Sequence, residues 1–79
     1  MNQIIEVLNK CDVTHFEGMQ VGWYYDEGEN TIVFYDFFDD HLFNVFNEIQ
    51  FTFENSTLCF TLENGVNIQL DLYKLQRIK

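Results

Sequence analysis

Basic residues are scarce in this chain, and nearly all of them stand at one end. Four lysines and arginines oppose thirteen aspartates and glutamates, which gives a net charge of -9. Lys10 is the only lysine or arginine in the first 71 positions. The other three lysines and arginines all lie within the last six positions. Nucleic acids and anionic membrane surfaces repel a protein with this negative charge. We therefore expect a basic protein as partner, and neither direct nucleic-acid binding nor membrane binding.

Membrane-spanning and secretory segments are also missing from the sequence. No stretch approaches the roughly 18 to 20 apolar residues that a membrane span requires. The N-terminus has no basic segment followed by a long apolar run, as a signal peptide has. The two cysteines, Cys11 and Cys59, are therefore predicted to be reduced thiols of a cytoplasmic protein, with a disulfide as the alternative.

Motifs for catalysis or cofactor binding are absent as well. Ser56 is the only serine, and it has neither a base nearby in sequence nor the glycines of a nucleophile elbow. There is no glycine-rich phosphate loop, and no C-x-x-C or H-E-x-x-H spacing that would indicate a metal site. The sequence thus predicts a protein that is not an enzyme and that uses no cofactor.

Two small groups of residues resemble metal ligands but have simpler explanations. Asp39, Asp40 and His41 are adjacent, yet neighbouring residues of a helix do not face one another, and the same string is a good helix start. Cys11 and His15 stand four apart, but a structural zinc site needs four ligands. We predict no metal site at either group.

What the chain has in abundance is apolar and aromatic side chains. Apolar residues make up 47% of the sequence and aromatic residues 18%, which is far more than a disordered chain of this charge would carry. At 79 residues there is enough material for one domain with a dense core. We expect residues 1–79 to fold as a single small acidic domain.

Periodicity changes along the first half of the chain. Apolar residues recur at helical spacing over residues 2–11, which predicts an amphipathic helix. From position 19 they alternate, so that Trp23 faces the core and Tyr24 faces away from it. The turn at residues 26–30 then leads into a second strand over residues 31–37, which predicts a β-hairpin.

A second change of pattern follows the hairpin. Phe38, Leu42, Val45 and Phe46 stand at i, i+4, i+7 and i+8, which is helical spacing. Asp39 before them is a suitable N-cap. These features predict a short helix near residues 39–47.

The last third of the chain predicts a meander of three strands. A two-residue turn at positions 55–56 sets Phe51 opposite Phe60, and a three-residue loop that ends at a left-handed Gly65 sets Phe60 opposite Ile68. Every apolar residue then has an apolar partner, and the other face is polar. The predicted fold class is α+β: an antiparallel five-stranded sheet (β-hairpin plus three-stranded meander), with the N-terminal helix and the short helix near 39–47 on one side.

The acidic residues concentrate in connections between the predicted elements. Acids displayed on rigid β hairpins can occupy the phosphate sites of a Lys- and Arg-lined groove, while an exposed tyrosine supplies contact area. Ordinary solvated acidic surface is the competing interpretation. The predicted partner-binding residues are Tyr24, Asp26, Glu27, Glu29, Asp36, Asp39 and Asp40.

In composition alone, the chain resembles phage-encoded inhibitors such as anti-CRISPR and anti-restriction proteins, and immunity proteins that neutralise nuclease toxins. The first hypothesis is therefore a non-catalytic inhibitor that mimics nucleic acid and binds the basic groove of a bacterial defence nuclease or complex. The second is an immunity protein against a toxin nuclease. The third, from a different class, is a homodimeric structural or regulatory module.

Overall fold

Seven antiparallel strands and one short helix form the part of the chain that this computed structural model describes, residues 3–74. Arg77 and Lys79, two of the basic residues near the C-terminus, lie outside that range. The helix is α1 (Ile4–Asn9), and the strands are β1 (Val13–Phe16), β2 (Met19–Asp26), β3 (Thr31–Tyr35), β4 (His41–Phe46), β5 (Phe51–Glu54), β6 (Thr57–Thr61) and β7 (Asn67–Tyr73).

All seven strands belong to one curled sheet, an open half-barrel, in the order β4-β3-β2-β1-β7-β6-β5. The first four strands form one meander and the last three form another, because each strand in a meander pairs with its neighbour in sequence. β1 and β7 join the two meanders by antiparallel pairing, with Thr14 opposite Leu72. The outermost strands of the sheet are thus β4 and β5.

The predicted fold class of five strands and two helices is wrong, and β1 is one of the two strands that it lacked. This strand is only four residues long, so its alternation was too short to recognise. It turns into β2 through Glu17 and Gly18, which both have positive φ, at 52° and 81°. Its pairing with β7 joins the predicted hairpin and meander into one sheet, and local pattern cannot reveal so distant a pairing.

The helix predicted near residues 39–47 is also wrong, because His41–Phe46 is the edge strand β4. Asp39, the proposed N-cap, has a φ of 65° in the turn before this strand. The pairing of β4 with β3 sets Phe43 opposite Phe34 and shifts register by one residue beyond that pair. The shift lets Leu42 pack against the core as well as Phe43, which interrupts the alternation expected of a strand.

The predicted register of the C-terminal meander is confirmed. Phe51 lies opposite Phe60, and Phe60 lies opposite Ile68. Gly65 has a φ of 89°, and the backbone N–H of Leu62 donates to the carbonyl of Val66 across the loop at 2.9 Å. The β2–β3 hairpin is confirmed too, since Asp26 pairs with Thr31 around the predicted turn.

The helix α1 packs on the inner, concave face of the sheet and is shorter than predicted. Ile4 and Leu8 are fully buried there, as their helical spacing of four predicts. Gln3 stands at the N-cap position and makes no side-chain cap. Asn47, distant in sequence, replaces it: its backbone oxygen accepts from the N–H of Ile4 at 2.9 Å, and its Oδ1 accepts from the N–H of Ile5 at 3.0 Å.

The core lies between α1 and the inner face of the curled sheet. Strand alternation supplies one apolar side chain for every two residues, and stacked and edge-on aromatic pairs fill the centre around Phe43, such as the pair with Phe34 at 4.8 Å between ring centroids. Among residues 3–74 no helix is long and apolar enough to cross a membrane. The buried core residues are Ile4, Leu8, Val21, Ile32, Phe34, Phe43, Val45, Leu58, Phe60, Ile68, Leu70 and Leu72.

One buried hydroxyl group gives a stability prediction. The Oγ1 of Thr31 is buried and has no hydrogen-bond partner within the described chain, a state that costs free energy relative to solvation in the unfolded chain. We expect Thr31→Val to raise the free energy of unfolding by about 1 kcal/mol, measured by urea denaturation. Thr52→Val on the exposed part of β5 is the matched control and should change it by less than about 0.5 kcal/mol. A destabilised Thr31→Val protein would contradict this interpretation.

Candidate binding surface

The outer face of β2, β3 and β4 carries an aromatic surface. Tyr24 points outward from β2, as predicted, and is 54% exposed. Tyr35 of β3 pairs with Gly22, and its ring lies over that glycine, where an added Cβ would come within 2.4 Å of ring atoms. The two tyrosine rings are 6.2 Å apart between centroids. Gly22 therefore allows the neighbouring tyrosine to lie flat on the sheet.

A shallow depression beside these rings brings two of the predicted residues together. Tyr24 and Asp39 both line it, although they are far apart in sequence. His41, which also lines it, hydrogen-bonds through Nε2 to the Oδ1 of Asn44. Aromatic faces next to a carboxylate can hold a cationic or apolar side chain of another protein. The lining residues are Tyr24, Val33, Tyr35, Asp39 and His41.

The connection between β3 and β4, which we call the 36–40 turn, holds three of the predicted acids. The Oδ1 of Asp36 accepts hydrogen bonds from the backbone N–H of Phe38 at 2.8 Å and of Asp40 at 2.9 Å. The backbone closes the same turn, since the N–H of Asp36 donates to the carbonyl of Asp40 at 2.9 Å. Asp36 therefore shapes the turn, whereas Asp39 and Asp40 are exposed.

The connection between β2 and β3 carries the other three acids. The Oδ1 of Asp26 accepts from the backbone N–H of Gly28 at 3.0 Å. Tyr25 donates its hydroxyl proton to the Oδ1 of Asn30 at 2.6 Å, which fixes the far side of this turn. Glu27 and Glu29 are exposed. Here too, one aspartate organises the turn and two acids face solvent.

The two acidic turns lie at opposite ends of β3, so the six acids form two groups instead of one continuous array. β3 has five residues, and at the rise of an extended strand its end Cα atoms stand about 13 Å apart. Neutral and aromatic side chains of the outer face lie between the groups. The sequence already implied this separation, because it placed the acids in the two connections that precede and follow the predicted strand over residues 31–37.

Phe37 and Phe38 are the functional candidates that the sequence interpretation missed. Each is 82% exposed in the 36–40 turn, and their rings stand edge to face with 6.2 Å between centroids. The helix prediction had placed Phe38 in the core. One available signal was their position between Asp36 and Asp39, acids that the sequence interpretation itself assigned to a connection between elements.

Other arrangements that could support chemistry are weaker. Within residues 3–74 no group of three or more His, Cys, Asp or Glu side chains is placed to hold a metal ion. Cys11 and Cys59 are free thiols, each half-buried. A larger surface depression lies at β5 and β6 and is lined mainly by uncharged groups, with Glu48 as its one carboxylate.

No protein-family model, curated protein or solved structure matches this chain. Function must therefore be inferred from the chain's own residues, and above all from the acidic turns and the aromatic surface between them.

Proposed function

We propose that this protein is a non-catalytic inhibitor that binds the basic nucleic-acid-binding groove of a bacterial defence nuclease or complex. It acts in the cytoplasm by occupying the sites that phosphates would fill. The observation that carries the proposal is the outer face of β2–β4, where the tyrosine surface is bordered at each end by an acidic turn.

The electrostatics favour a basic protein as target. A net charge of -9 accelerates the approach to a cationic groove and slows the approach to nucleic acid or to an anionic membrane. Glu27 and Glu29 at one end, and Asp39 and Asp40 at the other, are exposed and free to meet Lys and Arg side chains. Tyr24, between them, supplies the aromatic contact area that charged groups alone lack.

The separation of the two turns suits a groove that binds a duplex. Such a groove presents two rows of basic side chains, one for each phosphate backbone. The turns stand at the two ends of β3, whose end Cα atoms are about 13 Å apart. Two acidic groups on opposite sides of the tyrosine surface can each meet one row, while Tyr24 and Tyr35 contact the floor between the rows.

The edges of the sheet favour the third hypothesis, a homodimeric module. β4 and β5 are the outermost strands, and each has an exposed phenylalanine, Phe46 and Phe53. Unprotected edges of this kind can pair with another chain.

An immunity protein against a toxin nuclease would use the same acidic surface as the inhibitor and would differ only in its target.

Capture of binding proteins from bacterial lysate tests the proposal. The tagged protein is immobilised at about 50 mM salt, and bound proteins are eluted with duplex DNA or with salt raised to about 500 mM. We expect both eluants to release a basic nuclease or nucleic-acid-binding protein, whose activity the purified inhibitor then blocks at an equimolar ratio. Sedimentation at both salt concentrations monitors self-association. A stable dimer that retains no basic protein would contradict the inhibitor and support the homodimeric module.

A further inference from the structure

The exposed phenylalanine pair, Phe37 and Phe38, is the strongest unexplained feature of the surface. Large apolar side chains at 82% exposure are unfavourable in water, and an apolar group concentrated at the tip of a turn indicates an interaction site. The two rings are not part of the hydrophobic core, because they pack against each other and not against the sheet. Their position at the end of the tyrosine surface makes contact with the same partner feasible.

The 36–40 turn holds the phenylalanine pair in a defined position. The side chain of Asp36 binds the backbone N–H groups of Phe38 and Asp40, and the N–H of Asp39 donates to the carbonyl of Asp36 at 3.0 Å. The backbone that carries the rings is therefore ordered before any partner arrives. Preordering of this kind reduces the entropy lost on binding and so favours affinity.

The charges beside the rings specify the chemistry of the occupant. Asp39 and Asp40 directly follow the pair and are exposed, so a pocket that receives the rings is bordered by positive groups. An anionic bilayer would repel these carboxylates. A second copy of this chain would bring the same acidic turn and a second charge of -9. A protein pocket with an apolar floor and Lys or Arg at its rim can bury the two rings and also pair with the two carboxylates.

We propose that the phenylalanine pair is the anchor of the complex and inserts into an apolar pocket bordered by Lys and Arg on the basic partner. This inference rests on the proposed function and names the contact that supplies most of its affinity. The carboxylates steer the approach and set the orientation, whereas the two rings leave water on binding and slow dissociation.

The double variant Phe37→Ser/Phe38→Ser tests the anchor. We expect it to bind the captured basic protein at least about tenfold more weakly than the wild type, as is typical when a buried aromatic anchor is removed. Met19→Ser/Val66→Ser is the matched control, because these side chains are exposed by 51% and 48% and lie away from the 36–40 turn in sequence. It should bind within about threefold of the wild type. Thermal unfolding of both variants verifies that they fold.

The outcomes separate the anchor from the proposed function. A double variant that retains the basic protein with unchanged affinity would overturn the anchor and leave the inhibitor proposal standing. A wild-type protein that captures no basic protein would overturn both. Cosedimentation with vesicles of phosphatidylcholine, with and without phosphatidylserine, examines the membrane alternative. Vesicle binding that depends on the phenylalanine pair would contradict a protein pocket as the occupant.

Two substitutions of Asp36 test whether the preordered turn matters. Asp36→Asn keeps an acceptor oxygen for the N–H groups of Phe38 and Asp40 and removes one charge, whereas Asp36→Ala removes both features. We expect Asp36→Ala to weaken binding by about threefold or more relative to Asp36→Asn. Equal affinities of the two variants would show that the ordering of the turn contributes nothing to the anchor.

Discussion

Replacing Asn47 with alanine lowers the free energy of unfolding by about 2 to 3 kcal/mol and Tm by roughly 10 to 20 °C. Asn47 is only 2% exposed, and its Oδ1 accepts the hydrogen bond from the N–H of Ile5. Alanine leaves that donor without its partner and removes the side-chain cap of α1. The backbone hydrogen bonds of residue 47 to Ile4 and Asn30 can still form in the alanine variant, so the expected loss is that of the side-chain cap. Urea and thermal unfolding measure the effect.

Asn67→Ala is the control for this prediction. Asn67 is exposed on β7, so the same chemical change should alter the free energy of unfolding by less than about 0.5 kcal/mol. A domain of this size has a free energy of unfolding of roughly 4 to 12 kcal/mol, so the Asn47 variant loses a large part of its stability. Equal stabilities of the two variants would mean that α1 does not depend on its distant cap.

Under the proposed function, we expect neutralising the exposed acids of either turn to weaken binding of the basic partner by about tenfold at low salt. The two variants are Glu27→Gln/Glu29→Gln at one end of β3 and Asp39→Asn/Asp40→Asn at the other. Each removes two charges and spares the aspartate that organises its turn. Asn at position 39 also tolerates the positive φ found there. Titration of the captured partner at about 50 mM and about 500 mM salt measures the effect, which should largely vanish at the higher concentration.

Glu54→Gln/Glu63→Gln removes the same number of charges from exposed positions at β5 and the β6–β7 loop, and it should change affinity by less than about threefold. This control distinguishes contact at the two turns from a general effect of net charge. If all three double variants lose affinity equally, the acids act only through the overall field. If only one turn matters, the partner does not span the outer face of β2–β4.

The C-terminal meander could be predicted in detail because its information is local. Its turns are short, and the side chains alternate with a period of two, so a shift of one residue would turn the whole apolar set to solvent. Phe53 opposite Leu58 and Leu58 opposite Leu70 follow from those constraints. The β2–β3 hairpin was predictable for the same reason, although the second strand is apolar on both faces.

β4 could not be predicted because its apolar residues stand at helical spacing, and a register shift removes the alternation expected of a strand. Leu42 and Phe43 both pack inward, which breaks the alternation that identifies a strand. Tertiary pairing with β3 overrides the helical spacing, since each residue of the edge strand gains a cross-strand neighbour. Once this segment became a strand, Phe38 moved from an expected core position to the exposed turn.

The sequence by itself determined the strong negative charge, the apolar surplus that makes the chain fold, and the pairings made across short turns. Charge and composition do not depend on conformation, and a tight turn leaves its two strands only one register that buries both apolar faces. Only the tertiary structure decided that β1 and β7 join the meanders, that Asn47 caps α1, and that Phe37 and Phe38 are exposed in the 36–40 turn. Each of these features depends on pairing between different segments of the chain, and periodicity within one segment carries no information about such pairing.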